Sequence, residues 1–277
     1  MRFPITFLLP ALLLPLPAAA DDPASFAFPG TLLEARELAP PAAAATTRRA
    51  LQDLASSWVV VPAAVNAPGA QGAYFRTKVT ILSLGPSATD VKAWFYPSAG
   101  SPRSTTFRIS SAETRTFPNV VQDLFGVTGA GALLLDTPID YDLVVTSEVY
   151  NDGPAGRFST ATIAWGILDF LGSTYFDWTP GVTVDGRTRA NLACWNSSSS
   201  SAIVRVGLYD APAPGPKIKE FEFELPGYGW KQIAVDVPVS GGTLLWKPFG
   251  GLNYCYAVNV DNASNDGTFL DRVTWVP

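Results

Sequence analysis

The stretch Val91-Lys92-Ala93-Trp94-Phe95-Tyr96 decides the class of fold. Val91, Ala93 and Phe95 fall on one side of an extended chain and Lys92, Trp94 and Tyr96 on the other. This period of two marks a strand with one buried face. The pattern returns as Val204, Val206 and Leu208 against Arg205, Gly207 and Tyr209. It returns within a longer match. Arg76-Thr77-Lys78-Val79-Thr80-Ile81 lies over Arg187-Thr188-Arg189-Ala190-Asn191-Leu192 at an offset of 111, which widens to 113 where Val91 meets Val204 and Tyr96 meets Tyr209. The offset is 111 again where Gly131 to Phe158 lies over Gly242 to Phe269, so that Val144 meets Cys255, Asn151 meets Asn262 and Gly156 meets Gly267. A drift gained and then lost is what loop-length changes produce, and the chain reads as two copies of a unit of about 110 residues.

Outward from these segments, alternation predicts strands over 58 to 65, 74 to 84, 90 to 97, 104 to 110, 112 to 117, 131 to 136, 142 to 150 and 156 to 165. A second set follows over 175 to 184, 188 to 195, 202 to 210, 217 to 225, 229 to 237, 242 to 247, 254 to 261 and 268 to 276. Short strands at this spacing, separated by Gly, Pro, Ser and Asn clusters, predict an all-β chain of two tandem antiparallel immunoglobulin-like β-sandwiches arising from an internal duplication. A barrel is the alternative. One helical turn is expected at Asn119 to Gly126, with Asn119 as cap, Val121, Leu124 and Phe125 as its apolar side and Gly126 as its end. It would plug one end of the first sandwich. The matching Val235 to Gly242 has lost it.

Residues 1 to 20 have the form of a signal peptide: Met1-Arg2, an apolar Phe7 to Leu16, then Ala18-Ala19-Ala20 ahead of Asp21. Residues 21 to 57 form a leader rich in Pro and Ala, with a possible short helix at Thr47 to Leu54. The sandwiches occupy 58 to 171 and 172 to 277, and Gly172 to Thr174 is the expected boundary. No later apolar run reaches the roughly 20 residues needed to span a bilayer as a helix, so a secreted or periplasmic protein without membrane insertion is expected. Charged residues are 16% of the chain and hydrophobic ones 47%, enough for two cores. The net charge of −5 argues against a sequence-independent hold on nucleic acid.

Export gives meaning to the two cysteines. Cys194 is in phase with Leu192, and Cys255 stands where the first copy has Val144, so both are expected to face inward. Only one position is supported by the first copy, because Cys194 lies over Ser83. A disulfide bridging the two sheets is expected, closing a loop of about 60 residues and contributing on the order of 4 kcal/mol by chain entropy. Two unpaired buried thiols are the alternative.

The stretches Val60 to Leu82 (VVPAAVNAPGAQGAYFRTKVTIL) and Asn119 to Leu133 (NVVQDLFGVTGAGAL), with the echo Arg187-Thr188-Arg189, resemble a group of uncharacterised secreted bacterial proteins. These carry a VPAA opening, a GxxGxx(F/W)RT segment and sandwich domains, often in tandem. The resemblance implies an extracellular β-sandwich and no particular activity. The chain departs from it at Lys78, where the group often has Asp or Asn.

The chain has no histidine, which removes Ser-His-Asp and Cys-His nucleophile systems and the usual zinc sites. No catalytic residue and no cofactor is predicted. A carboxylate pair acting on a glycoside needs no histidine, and Asp136, Asp140 and Asp142 are its nearest candidates, although DTPIDYD also reads as a hairpin loop. Asp261, Asn262, Asn265 and Asp266 cluster at a chain reversal, where turn chemistry is the preferred reading and calcium the weaker one. Trp94, Tyr96, Trp195 and Tyr209 lie out of phase with the inward residues and offer a possible ligand platform, unless they pack between the domains. Three functions follow in order: an exported non-enzymatic structural or interaction protein using tandem sandwiches as spacer and binding surface, with an extracellular protein or polysaccharide as possible partner; a carbohydrate-binding module; a histidine-free glycoside hydrolase.

Overall fold

A computed structural model describes residues 57–138, 143–153, 156–166, 176–210 and 215–275. The expected signal peptide, the expected leader and short helix up to residue 56, Asp140, Asp142 and the expected boundary at Gly172 to Thr174 lie outside these residues. Apart from one 3-10 turn at Ala70–Gly72 and one helix, the described secondary structure is β. The first half contains β1 (Ser57–Pro68), β2 (Tyr74–Ser83), β3 (Thr89–Pro97), β4 (Arg103–Ile109), β5 (Thr114–Phe117), β6 (Gly129–Thr137), β7 (Leu143–Gly153), β8 (Gly156–Ile163) and β9 (Trp165–Gly166). The second contains β10 (Phe176–Val184), β11 (Thr188–Asn196), β12 (Ala202–Tyr209), β13 (Lys217–Leu225), β14 (Trp230–Ala234), β15 (Val239–Phe249), β16 (Asn253–Asp261), β17 (Gly267–Leu270) and β18 (Val273–Trp275).

All pairings are antiparallel. In the second half they form two sheets, β13-β12-β15-β10-β18 and β14-β11-β16-β17. In the first half the corresponding orders, β4-β3-β6-β1-β9 and β5-β2-β7-β8, join into one sheet because the end of β1 also pairs with β2. Each half closes over its own core. Val91, Ala93 and Phe95 of β3 meet Val79 and Ile81 of β2 in the first, and Val204, Val206 and Leu208 of β12 meet Leu192 and Ala257 in the second. The alternation that marks these strands is therefore the alternation of core and outer faces.

The helical turn is present as α1 (Val120–Phe125). The Asn119 side chain accepts from Gln122 N at 3.4 Å, Asp123 accepts from Asn119 N at 2.9 Å, and Gly126 ends the helix in the left-handed conformation. Val120 and Val121 are fully buried in the first core. The buried Asn66 ties this helix to β1. It donates to Gln122 Oε1 and Val127 O and accepts from Asn119 Nδ2 and Tyr74 OH, so the two motif stretches meet around one amide. In the second half, residues 235 to 238 form no helix.

A third apolar cluster lies between the halves, built on outer faces. Val60, Tyr96 and Leu134 from the β1-β3-β6 side pack with Trp195, Tyr254 and Tyr256 from the β11-β16 side. At this junction the central strands β6 and β16 are covered on both faces, which is why each contains five consecutive buried residues where a one-faced strand would alternate. The register of β1 shifts between Val61 and Ala64. The carbonyls freed by this bulge are satisfied from elsewhere: Ala63 O by Thr77 Oγ1, and Pro62 O by both Trp230 Nε1 at 3.0 Å and Tyr256 OH at 3.3 Å. Gly131 lies opposite Pro97, where a Cβ would collide with the Tyr96 carbonyl, so this position of the GAGAL segment demands glycine.

Cys194 and Cys255 are at bonding distance, 2.14 Å between sulfurs, but they do not bridge the sheets. They are directly opposed on neighbouring strands β11 and β16, with Cα atoms 4.1 Å apart. The expected inter-sheet bridge is corrected to a cross-strand bond on the inner face. Its support in the first half is also the reverse of that expected: Ser83 is 0% exposed and Val144 is 47% exposed. Ser83 pairs with Leu143, so Leu143 is the structural counterpart of Cys255, one residue from the sequence match. A one-residue slip exchanges the two faces of a strand.

Candidate binding cleft between the halves

The aromatic residues singled out in the sequence belong mostly to the junction. Tyr96 and Trp195 are only 7% and 1% exposed, so of the two readings of these rings, a ligand platform or packing between the domains, this pair takes the second. The Tyr96 ring lies 5.5 Å from the rings of both Trp195 and Tyr228, and Trp195 Nε1 donates to Tyr228 O. Burial, with Tyr228 and Asp136 nearby, pushes the Tyr96 hydroxyl up to about 12. Trp94 is half-buried, stacked towards Tyr96, with Lys92 Nζ 4.4 Å from its ring centre. Tyr209 is apart from this group and half-buried beside Trp178, at 6.2 Å between ring centres.

Beside the aromatic contact the halves leave a cavity of about 360 Å³. One wall is the inner face of β2, β7 and β8 where that sheet runs beyond β1, with Phe75, Val149, Phe158 and Thr160. The opposite wall is the outer face of β11, β16 and β17, with Tyr256, Val258 and Phe269. Phe269 stacks on Tyr256 at 4.8 Å, and its backbone N–H donates to Thr160 Oγ1 at 3.2 Å, holding one rim closed. Ala67 and Pro68 from the end of β1 frame the mouth. Sequence reasoning placed none of these walls, because each is made by two segments far apart in the chain.

Arg189 is the one charged residue among those lining the cavity. Its guanidinium donates to Asn262 Oδ1 at 3.0 Å and to Asn265 Oδ1 at 2.8 Å. These are two of the four residues weighed for calcium, and a protein cation faces their oxygens. Asp261 is occupied by its own turn, its carboxylate accepting from Ser264 N, Ser264 Oγ and Ala263 N, which holds it below the usual carboxylate range. Asp266 N donates to Ser264 Oγ in the same turn. Burial lowers the Arg189 pKa, with Asp261 acting in the opposite direction.

The matching position in the first half is Lys78, which forms an ion pair with Glu148 on the outer face of β2 and β7. Arg189 is instead opposed by Val260 on β16 and takes part in no ion pair among the described residues.

Of the three aspartates considered for glycoside chemistry, Asp136 lies on the outer side of β6 opposite Lys92, and burial raises its pKa against the pull of that lysine. A different pair of carboxylates lies near β10 and β18. Asp177 is buried and bonded to Arg272 at 2.8 Å, and burial raises the nearby Asp271. Arg272 holds only the Oδ2 atom of Asp177, whose buried Oδ1 has no hydrogen-bond partner. No protein-family model matches this chain, and no curated protein matches it.

Proposed function

We propose that this is an exported, non-enzymatic interaction protein in which two immunoglobulin-like β-sandwiches, derived from one unit by duplication, form a single block and bind a ligand at their junction. The observation that carries the reading is the cavity of about 360 Å³, within the size range of small-molecule sites and walled by both halves. The matching strand orders support the duplication. The apolar start of the chain, the paired cysteines and the likeness to secreted bacterial tandem-sandwich proteins support export.

Nile red, a neutral apolar dye, tests the cleft. The mature protein is expected to bind it saturably at one site, and Ala67→Trp, which fills the mouth, to abolish binding without unfolding the chain. A protein that binds no dye, or binds it equally well with the mouth filled, would not use this cleft. Mass spectrometry of the exported protein should find a chain beginning at Asp21, and turnover of ester, peptide or glycoside substrates would refute the non-enzymatic reading.

A further inference from the structure

We infer that the cleft selects amphipathic carboxylates: an acid headgroup held by Arg189 and an apolar body lying between the Phe75–Phe158 wall and the Tyr256–Phe269 wall. The inference rests on the cleft being a binding site and adds the chemistry of its occupant. Three observations lead to it. The lining is mostly apolar, so the body of the ligand must be apolar. The single charged lining residue is a cation, so an anionic group is favoured and a cationic one opposed. The cation's hydrogen-bond partners are neutral amides, Val260 stands opposite it where the first half places Glu148 opposite Lys78, and Asp261, the carboxylate that acts on it from the neighbouring turn, is engaged by Ser264 and Ala263.

A guanidinium presents planar donors that fit both oxygens of a carboxylate, and Asn262 and Asn265 hold this one from the side of the turn. Taking it partly out of water raises the worth of an anionic partner. Nearby Asn191 and Gln232 extend the polar end of the lining.

The test compares three ligands of one chain length on the mature protein by calorimetry, with the change in total tryptophan emission, to which the cavity-lining Trp230 contributes, as a second signal. Decanoate is expected to bind about 10- to 100-fold more tightly than 1-decanol, the span of one charge-assisted contact, and decyltrimethylammonium least. In Arg189→Gln the decanoate advantage should vanish while decanol binding stays. Should that variant fail to fold, the three-ligand comparison on the native protein decides alone. Equal affinity for decanoate and decanol, both lost in Ala67→Trp, would overturn the anion selectivity and leave the cleft as a binding site. So would Nile red binding without binding of any of the three. If neither the dye nor any of the three binds, both the inference and the cleft reading fall.

Discussion

Tyr96 and Tyr209 lie at the ends of β3, between β4 and β6, and of β12, between β13 and β15. One is buried against Trp195 and Tyr228, and the other is half-buried beside Trp178. The strand pattern that places both rings on an outer face is the same, and only the docking differs. The first half contributes its β1-β3-β6 face and the second its β11-β16 face, so the halves meet head to tail rather than by a two-fold. Position within the fold, more than local sequence, decides what each of these two tyrosines does.

The sharpest way to break this comparison is to truncate both rings. Tyr96→Ala should cost about 3 to 5 kcal/mol in urea unfolding, as loss of a buried aromatic does. Tyr209→Ala should cost about 1 kcal/mol, and equal costs would mean that both outer faces are equivalent. The next difference is covalent, since the second half alone has a cross-link. Cys194→Ser with Cys255→Ser should lower stability by about 2 to 4 kcal/mol. Alkylation of the unfolded, unreduced protein should modify neither thiol, and labelling of both would show that no bond exists.

The first half has its own device in α1. Asn119→Ala should cost about 1 kcal/mol through the lost cap and Asn119→Ser should recover most of it, whereas no position between β14 and β15 should show such a pattern. The smallest effect separates Lys78 from Arg189. Hydrogen bonding and charge from Lys78 hold Glu148 below the usual carboxylate range. Stability from that pair is therefore present above the unfolded-state pKa of the glutamate and lost as pH falls through its lower folded-state value. Lys78→Met should cost well under about 1 kcal/mol at pH 7, because the pair is partly exposed, and nothing at about pH 2. A cost that persists at that pH would assign Lys78 a packing role.

The strands were legible because each keeps one face in a core of its own half, and Val91 to Tyr96 carries that fact in its period of two. The helix was legible because Asn119 and Gly126 act locally. The disulfide's sheet was not, because register depends on the partner strand: Val144 and Cys255 agree in sequence match and disagree in face. Whether the rings form a platform or pack between the halves could not be read from phase, for a related reason. Trp195 is out of phase with Cys194, as an exposed ring would be, and a second apolar layer covers that phase. The cleft left a trace only in Arg189, a cation whose counterpart Lys78 has an acid opposite it and which itself has Val260.

The Pro62 carbonyl has a consequence in time. Its two donors, Trp230 and Tyr256, come 168 and 194 residues later in the chain. A polypeptide emerging from the ribosome at about 5 to 20 residues per second leaves roughly 10 to 30 seconds between acceptor and first donor. For that interval the first half, even if folded, shows Tyr96 and Leu134 to its surroundings without the surface that later covers them. Anything that delays folding until the whole chain has crossed a membrane removes this period of exposure.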